Sequence, residues 1–171
     1  MNEFQADEST TLIAFRRVSE PWGGLGNMAP VPVEFEGRSW RTVEALFQAQ
    51  RFSSENPVRE AIWSAKSPMA AKMIAKKHRN ERVVEAQSTA DVEIMRELVR
   101  LKLEQHLRGG SRFQQEVEAL LRVPSFLIIE DCTARPNTSG LFWGAQRKFD
   151  STWRGENTLG QIWMELLAAL R

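Results

Sequence analysis

The sequence predicts an α+β fold in which helices outnumber strands. Its 171 residues are enough for one domain with a sizeable core. Several segments place apolar residues at helical spacing, with a capping residue in front and Gly or Pro behind. Only a few short runs alternate, or stay continuously apolar, as strands do. We therefore expect a single compact domain with many helices and a small hairpin or sheet.

Composition narrows the class of protein. Residues 1–10 are acidic and polar, which predicts a flexible N-terminal arm ahead of a domain at residues 11–171. A net charge of +1 gives no overall attraction to nucleic acid or to a membrane surface. No tract is apolar enough to span a bilayer. The single cysteine, Cys132, excludes an internal disulfide and a Cys-rich zinc site, and it fits a reducing cytoplasm.

The first third of the chain predicts strands around a glycine-rich loop. Residues 11–18 form a short apolar run typical of a strand. Residues 20–30 hold three glycines and two prolines, which predicts either a plain connector or a loop whose backbone approaches a ligand. Val33 and Phe35 then alternate with polar residues, Glu36 and Gly37 predict a tight turn, and residues 38–40 return as a second strand.

This hairpin leads into a helix that carries two different faces. Val43, Leu46 and Phe47 lie on one apolar stripe, and Thr42 is suited to cap the first turn. Glu44 lies in that first turn, where the helix dipole favours a carboxylate. A second, polar stripe predicts either a solvated face or a face towards a cavity; it consists of Glu44, Gln48 and Arg51.

The middle of the chain is a series of capped helices. The predicted N-terminal devices are Asn56-Pro57, Ser67-Pro68, a capping box from Ser88 to Asp91, and Ser111. Residues 126–129 then form a fully apolar run typical of a buried strand. It ends at Glu130 and Asp131, carboxylates that are placed either for a cleft or for a simple turn.

The last third predicts a long ordered loop and a final helix. Residues 133–156 show little periodicity but contain several aromatic residues, so we expect an ordered loop that faces a ligand. Thr158 and Gln161 are spaced as a capping box for the final helix. Gly160 would leave the first turn of that helix uncovered, which predicts an anion site.

Five short motifs, taken together and in order, resemble the YbiA-like N-glycosidase family, also called NADAR (NAD and ADP-ribose). The resemblance runs from about Phe15 to Leu170. The motifs are Asn27 after the glycine-rich loop, Trp40-x-x-x-Glu44-x-x-Phe47-Gln48-Ala49, the strand end at Glu130, Phe142-Trp143-Gly144, and Gly155-x-Asn157-x-Leu159-Gly160.

The resemblance implies a compact, mostly helical α+β domain with a polar cleft. It also implies hydrolysis of an N-glycosidic bond in a ribose-phosphate compound, without metal or organic cofactor. The expected substrate is either an early intermediate of riboflavin biosynthesis or an ADP-ribosylated guanine, so nucleic acid enters only as a modified substrate. The sequence sets no oligomeric state.

Residue roles follow from the same resemblance and from the chemistry of the reaction. Cleavage of a C–N glycosidic bond develops positive charge on the sugar, which a carboxylate can stabilise. Glu44 is the expected carboxylate, with Glu130 or Asp131 as the second. The other expected substrate contacts are Trp143 stacking on the base, Asn27 and Asn157 on ribose hydroxyls, Arg51, Arg154 and the backbone at Gly160 on phosphate, and the motif positions Gln48 and Gly144.

Three positions depart from the family pattern. Arg51 stands where lysine is common, Ala145 where aspartate is common, and Gln87 where an aromatic residue is common. Arg51 cannot form a Schiff base, so a covalent route would need another amine, such as Lys148. The departures at Arg51 and Ala145 favour the alternative of a non-catalytic module that binds ADP-ribose or NAD. A nucleic-acid scaffold built on Lys72, Lys76, Lys77 and Arg79 is disfavoured by the near-neutral charge.

Overall fold

The computed structural model describes residues 2–171, so Met1, the first residue of the predicted arm, lies outside the described residues. It confirms an α+β fold with more helix than strand. The elements in chain order are β1 (Asn2–Phe4), β2 (Thr11–Phe15), β3 (Val33–Phe35), β4 (Arg38–Trp40), α1 (Val43–Gln50), α2 (Val58–Trp63), α3 (Pro68–Lys77), α4 (Thr89–Gln105), α5 (Arg112–Leu121), β5 (Phe126–Glu130), α6 (Thr138–Trp143), β6 (Ala145–Arg147), β7 (Trp153–Gly155) and α7 (Thr158–Ala168).

Contacts divide the predicted domain into two compact units. Unit 1 combines the chain up to Gly26 with Arg108–Arg171, and unit 2 is Asn27–Leu107. Unit 1 therefore consists of two separate stretches of sequence, whereas unit 2 is one continuous stretch.

Unit 1 contains two small sheets. Strands β1, β7 and β6 form an antiparallel sheet in that order, and β2 pairs with β5 in parallel, with Ile13 opposite Ile128. The predicted strands at residues 11–18 and 126–129 are therefore confirmed, although β2 ends at Phe15. Ile128 and Ile129 are fully buried. The buried core of unit 1 therefore extends along β5 as far as Ile129, the residue before its end.

Helix α7 packs against β5 and supplies the largest fully buried side chain of unit 1. Trp163 is fully buried, and its ring lies 5.9 Å from that of Phe113 on α5. Its Nε1 donates a hydrogen bond of 3.1 Å to the carbonyl oxygen of Leu25. The indole therefore joins the start of the chain to its last helix.

The predicted flexible arm carries structure at its beginning. Asn2–Phe4 pair with β7, and Glu3 lies opposite Arg154. Further along, Asp7 Oδ1 accepts hydrogen bonds from the backbone N–H and the hydroxyl of Ser9. Backbone pairing with β7 does not require an apolar pattern in β1, so composition alone did not indicate this strand.

The long loop predicted for residues 133–156 contains regular structure, which corrects the expectation. It holds α6, β6 and β7, and the last two form a hairpin. Each element is only three to six residues long. Such short elements give no readable periodicity, which is why the sequence pattern predicted only a loop.

The glycine-rich loop packs against protein groups. A Cβ atom at Gly23 would lie 2.3 Å from the carbonyl oxygen of Val18, and one at Gly24 would lie 2.3 Å from Oε2 of Glu116. The backbone N–H of Gly24 donates to the same Glu116 oxygen at 2.9 Å. These contacts favour the connector interpretation over a loop that approaches a ligand.

Unit 2 follows the predicted pattern of hairpin and capped helices. Strands β3 and β4 pair around Glu36 and Gly37, both at positive φ, as a tight hairpin turn requires. Four polar side chains accept hydrogen bonds from the first turns that follow them, which confirms the predicted starts. These side chains are Thr42 for α1, Asn56 for α2, Ser67 for α3 and Ser88 for α4.

Within residues 2–171, no helix combines the length and the apolar character needed to cross a membrane.

Two tryptophans that each donate to a backbone carbonyl provide a test of the core. Trp163→Phe should lower the free energy of unfolding by about 2 kcal/mol, because it leaves a cavity and an unpaired carbonyl in a buried position. Trp63 donates to the Ser39 carbonyl but is partly exposed, so Trp63→Phe should cost clearly less. Urea denaturation of both variants measures the difference, and equal losses would contradict the assigned core.

Candidate functional site

The polar stripe of α1 is buried, which excludes the solvated alternative. Glu44, Gln48 and Arg51 expose only 6%, 3% and 6% of their surface. Buried charged and amide groups need partners, because each would otherwise lose its hydration without compensation. The contacts of these three side chains therefore define the candidate site in unit 2.

Glu44 is held at the first turn of α1 by groups from three places. Its backbone N–H donates to the Asn27 carbonyl at 2.9 Å. Its Oε1 accepts a hydrogen bond from Gln48 Nε2 at 3.0 Å and lies 3.5 Å from Lys72 Nζ on α3. No residue in the described range 2–171 donates a hydrogen bond to its Oε2. One oxygen is thus fixed by protein, and the other is left for water or a ligand.

Arg51 forms a buried two-point ion pair that the sequence did not predict. Its Nε donates to Asp91 Oδ1 at 2.7 Å, and its Nη2 donates to Asp91 Oδ2 at 2.5 Å. Nη1 lies 3.4 Å from Gln48 Oε1, and the guanidinium carbon lies 4.2 Å from the ring centre of Phe47. These protein contacts surround the guanidinium that was expected to bind substrate phosphate, and they link α1 to the start of α4.

Asp91 is a functional candidate that the sequence reasoning missed. It is fully buried, and its Oδ2 also accepts the backbone N–H of Gln87 at 2.8 Å. The capping box forms only in part, because Ser88 accepts from the Asp91 N–H while the carboxylate binds Gln87 and Arg51. The spacing of an acid three residues after a capping serine correctly predicted the start of α4. It gave no sign that Asp91 binds Arg51, 40 residues earlier in the chain.

Asn27 brings an unsatisfied polar atom to the same unit. The side chain exposes 8% of its surface, and its Nδ2 contacts Met95 Sδ at 3.2 Å. Its Oδ1 is buried without a hydrogen-bond partner among the described residues. Since its carbonyl caps the Glu44 N–H, the amide lies next to the start of α1. An orphaned amide oxygen is the kind of group that a bound hydroxyl would satisfy.

The remaining predicted residues lie in unit 1, and most of them surround the end of β5. Glu130 is the last residue of β5, and Asp131 follows it. Asp131 Oδ1 accepts the backbone N–H of Thr133 at 2.8 Å, so this carboxylate closes a local turn. Its own N–H donates to the Phe15 carbonyl. The sequence allowed either a cleft or a turn for these two acids, and Asp131 forms a turn.

Asn157 joins the end of β5 to the start of α7. Its Nδ2 donates to the Ile128 carbonyl at 2.8 Å, and its Oδ1 accepts the Glu130 N–H at 3.2 Å. Asn157 is 2% exposed and has a left-handed backbone, with φ of 52°. Both polar atoms of this predicted ribose contact are therefore bonded to the strand that carries Glu130.

The predicted capping box at the start of α7 is not formed, and this expectation was wrong. Thr158 is already helical, and its hydroxyl donates to the Phe142 carbonyl, while Gln161 donates to the Glu156 carbonyl. The helix begins at Thr158, one residue earlier than the pattern predicts. The capping position is therefore Asn157, whose backbone is left-handed.

Two glycines permit close packing at the same place. A Cβ atom at Gly144 would lie 2.1 Å from the Glu130 carbonyl oxygen, and one at Gly160 would lie 2.2 Å from the Ile128 carbonyl oxygen. Both glycines are buried. The absence of a side chain at Gly160 thus allows α7 to contact β5 closely. The sequence had instead suggested that this glycine leaves space for an anion.

The expected base and phosphate contacts have different environments. Trp143 is 9% exposed and meets Phe142 edge to face, with ring centres 5.0 Å apart. Lys148 and Arg154 lie on the β6–β7 hairpin, where Lys148 is half-buried and Arg154 is exposed. Arg154 stands between Gln146 and Glu3 in the sheet. The cations are thus accessible, whereas the indole is mostly covered.

Ala145 lies where an added carboxylate would be buried. It is fully enclosed and packs with Ile129 and Trp153. An aspartate at this position would have to place a charge in these apolar surroundings or find a new partner. The departure at Ala145 is therefore accompanied by apolar packing in this chain.

Cys132 is poorly suited to act as a nucleophile. Burial, and after it the nearby charges of Glu130 and Asp131, raise the pKa of this thiol to about 11. Within residues 2–171, no group of three or more His, Cys, Asp or Glu side chains is arranged to hold a metal ion.

The Arg51–Asp91 pair can be tested by removing one partner. Asp91→Ala should lower the free energy of unfolding by about 3 kcal/mol or more, because it leaves a buried guanidinium without its carboxylate. Glu97→Ala, which breaks an exposed pair with Arg100 on the same helix, should leave stability nearly unchanged. Urea denaturation compares the two. A double variant, Arg51→Met with Asp91→Leu, that is no more stable than Asp91→Ala would contradict this explanation.

The raised pKa of Cys132 predicts slow and pH-dependent alkylation. Because the thiol stays protonated near neutral pH, its reaction with iodoacetamide should accelerate about tenfold per unit between pH 7 and 9, without levelling off. An unstructured peptide with one cysteine, whose thiol pKa is about 8.5, provides the reference, and its rate begins to level off near the upper end of that range. A plateau for Cys132 below pH 9, measured by mass spectrometry, would show an activated thiolate instead.

Comparison with known proteins agrees with this arrangement of elements. The chain is 30% identical over 156 residues to the N-glycosidase YbiA of Shigella boydii serotype 4 (strain Sb227), across 91% of this chain and 86% of that protein. The N-glycosidase YbiA of Escherichia coli (strain K12) shows the same identity and coverage. The NMR structure of the E. coli protein YbiA superposes with a TM-score of 0.71 at 28% identity, covering 97% of this chain and 88% of that chain.

A family model described as the NADAR domain matches residues 14–171. The match includes all of unit 2, unit 1 from Ala14 onwards, and every candidate site residue described above. The chain therefore belongs to the NADAR family, as its sequence motifs indicated.

Proposed function

We propose that this protein is an N-glycosidase that hydrolyses the C–N glycosidic bond of a ribose-phosphate compound. The observation that carries the proposal is the buried carboxylate of Glu44, fixed through Oε1 and open at Oε2. Membership in the NADAR family, and the name N-glycosidase given to relatives, support the same reaction.

The reaction needs a carboxylate close to the sugar. As the C–N bond breaks, its electron pair leaves with the base and positive charge develops on the ribose ring. Glu44 Oε2 stabilises that charge and orients the water whose oxygen forms the new bond to the anomeric carbon. The attacking water loses one proton and the departing base gains one, so the step balances with water alone. Glu130 or Asp131 serves as the second carboxylate and transfers this proton. The co-substrate is water, so no organic cofactor is required.

The substrate is a nucleotide-like ribose phosphate. Asn27 Oδ1 accepts a ribose hydroxyl, which supplies the hydrogen bond that this buried oxygen lacks in the protein. Lys148 and Arg154 bind phosphate, and Trp143 contacts the base with the 9% of its surface that is exposed. Two substrate classes share this chemistry: an early riboflavin-pathway intermediate and an ADP-ribosylated guanine. The proposed location of the reaction is the cytoplasm.

A second candidate function is a module that binds ADP-ribose or NAD without turnover. Two observations favour it. The Arg51 guanidinium is committed to Asp91 and offers no amine, and Ala145 supplies no carboxylate in its apolar surroundings. Both candidates use the same polar residues, so they are separated by product formation and not by binding.

Turnover of two substrates tests the first candidate. Purified protein is mixed with a ribosylaminopyrimidine 5-phosphate or with an ADP-ribosylated guanine nucleotide, and released sugar phosphate is followed by mass spectrometry. Release from one of them is expected, and Glu44→Gln should lower kcat by about 100-fold or more, because the charge near the sugar is lost. Glu93→Gln, on the exposed surface of α4, is the matched control and should behave like the wild type.

The outcomes separate the two candidates. Release from neither substrate, together with saturable binding of ADP-ribose, would support the binding module. Full activity of Glu44→Gln would remove Glu44 from the reaction. Melting temperatures of both variants show whether a loss reflects chemistry or unfolding.

A further inference from the structure

One cation of unit 2 has a contact that its place on the surface does not explain. Lys72 exposes 49% of its side chain, yet its Nζ lies 3.5 Å from Oε1 of Glu44, whose side chain is 7% exposed. A lysine on an exposed helix face usually extends into water and forms pairs with exposed acids. Lys72 instead directs its amine towards a buried carboxylate.

The fold makes this approach possible. Ser67 and Pro68 fix the start of α3, and Ala71 and Ala75 are fully buried on its inner side. Small side chains at these positions let α3 pack closely against α1. Lys72 follows Ala71 directly, so the close approach of the two helices brings its amine to the first turn of α1.

The contact selects one oxygen of the carboxylate. Gln48 Nε2 and Lys72 Nζ both lie against Oε1, and Gln48 is itself next to Arg51. In the described part of the chain, Lys72 is the one cation that forms an ion pair with Glu44. A hydrogen bond from Gln48 and an ion pair with Lys72 on the same oxygen restrict rotation of the carboxylate, so they favour one direction for Oε2.

We infer that Lys72 is a positioning residue for the Glu44 carboxylate. This inference rests on the proposed N-glycosidase function. The ammonium group compensates the negative charge of Glu44 and keeps Oε2 directed to the reacting sugar. Its role is therefore distinct from that of Lys76 and Lys77, with which the sequence analysis grouped it as part of a basic surface.

The role predicts a particular change in kinetics. A residue that orients the catalytic carboxylate acts when charge develops on the sugar, so its loss lowers kcat and leaves KM nearly unchanged. A residue that binds substrate phosphate would instead raise KM. The measured split between the two constants therefore distinguishes positioning from substrate binding.

The experiment compares Lys72→Met with Lys72→Arg and Lys76→Met. With the substrate that the wild type turns over, Lys72→Met should lower kcat about tenfold or more, with KM changed less than about twofold. Lys72→Arg keeps the charge and should recover most of the rate. Lys76→Met removes an exposed lysine of the same helix and should match the wild type. An unchanged kcat for Lys72→Met, or a change confined to KM, would overturn the inference.

A second measurement does not depend on activity. Melting temperatures of Lys72→Met, Glu44→Gln and the double variant form a thermodynamic cycle. Lys72→Met should lower the melting temperature when Glu44 is present and have little effect when residue 44 is glutamine. Equal effects in both backgrounds would overturn the contact. If the wild type hydrolyses neither substrate, the proposed function fails, and this cycle still decides whether Lys72 holds Glu44.

Discussion

The buried ion pair between Arg51 and Asp91 is the interaction on which the polar interior of unit 2 depends. Removing a guanidinium and a carboxylate from water is costly, and it is compensated only when geometry is good and the remaining hydrogen-bonding capacity is used. Both conditions hold, because two hydrogen bonds join the groups, Gln87 donates to Asp91 and Gln48 accepts from Arg51. The polar contacts continue from Asp91 through Arg51 and Gln48 to Glu44, so one pair fixes the environment of the candidate catalytic carboxylate.

Unit 1 achieves order by a different means. Around the end of β5, backbone segments approach so closely that side chains are excluded, which is why glycine occupies residues 144 and 160. Asn157 then bonds to the carbonyl of Ile128 and to the N–H of Glu130. A residue that sequence motifs assign to substrate can thus serve to place the backbone of a neighbouring acid. Unit 1 relies on backbone contact where unit 2 relies on charge.

Local chemistry could be predicted from the sequence, and distant partners could not. The caps at Thr42, Ser67 and Ser88 were predicted because each bonds within its own first turn. The polar stripe of α1 was visible, but its burial was not, since Asp91 lies 40 residues further along the chain. The predicted start of α7 was one residue too late, because hydrophobic spacing and capping residues do not reveal the left-handed backbone of Asn157. Five short motifs indicated the family, whereas the contact of Lys72 with Glu44 joins two helices and has no signature in the sequence.

The parallel pairing of β2 with β5 has a consequence for synthesis of the chain. Ile13 and Ile128 are neighbours in the sheet, and the whole of Asn27–Leu107 lies between them in sequence. At roughly ten residues per second, β2 waits about ten seconds on the ribosome before β5 is made. Both members of the Arg51–Asp91 pair are translated within that interval. The order of translation therefore favours a nascent chain in which unit 2 is assembled first and residues 11–15 stay without their partner strand until the C-terminal half arrives.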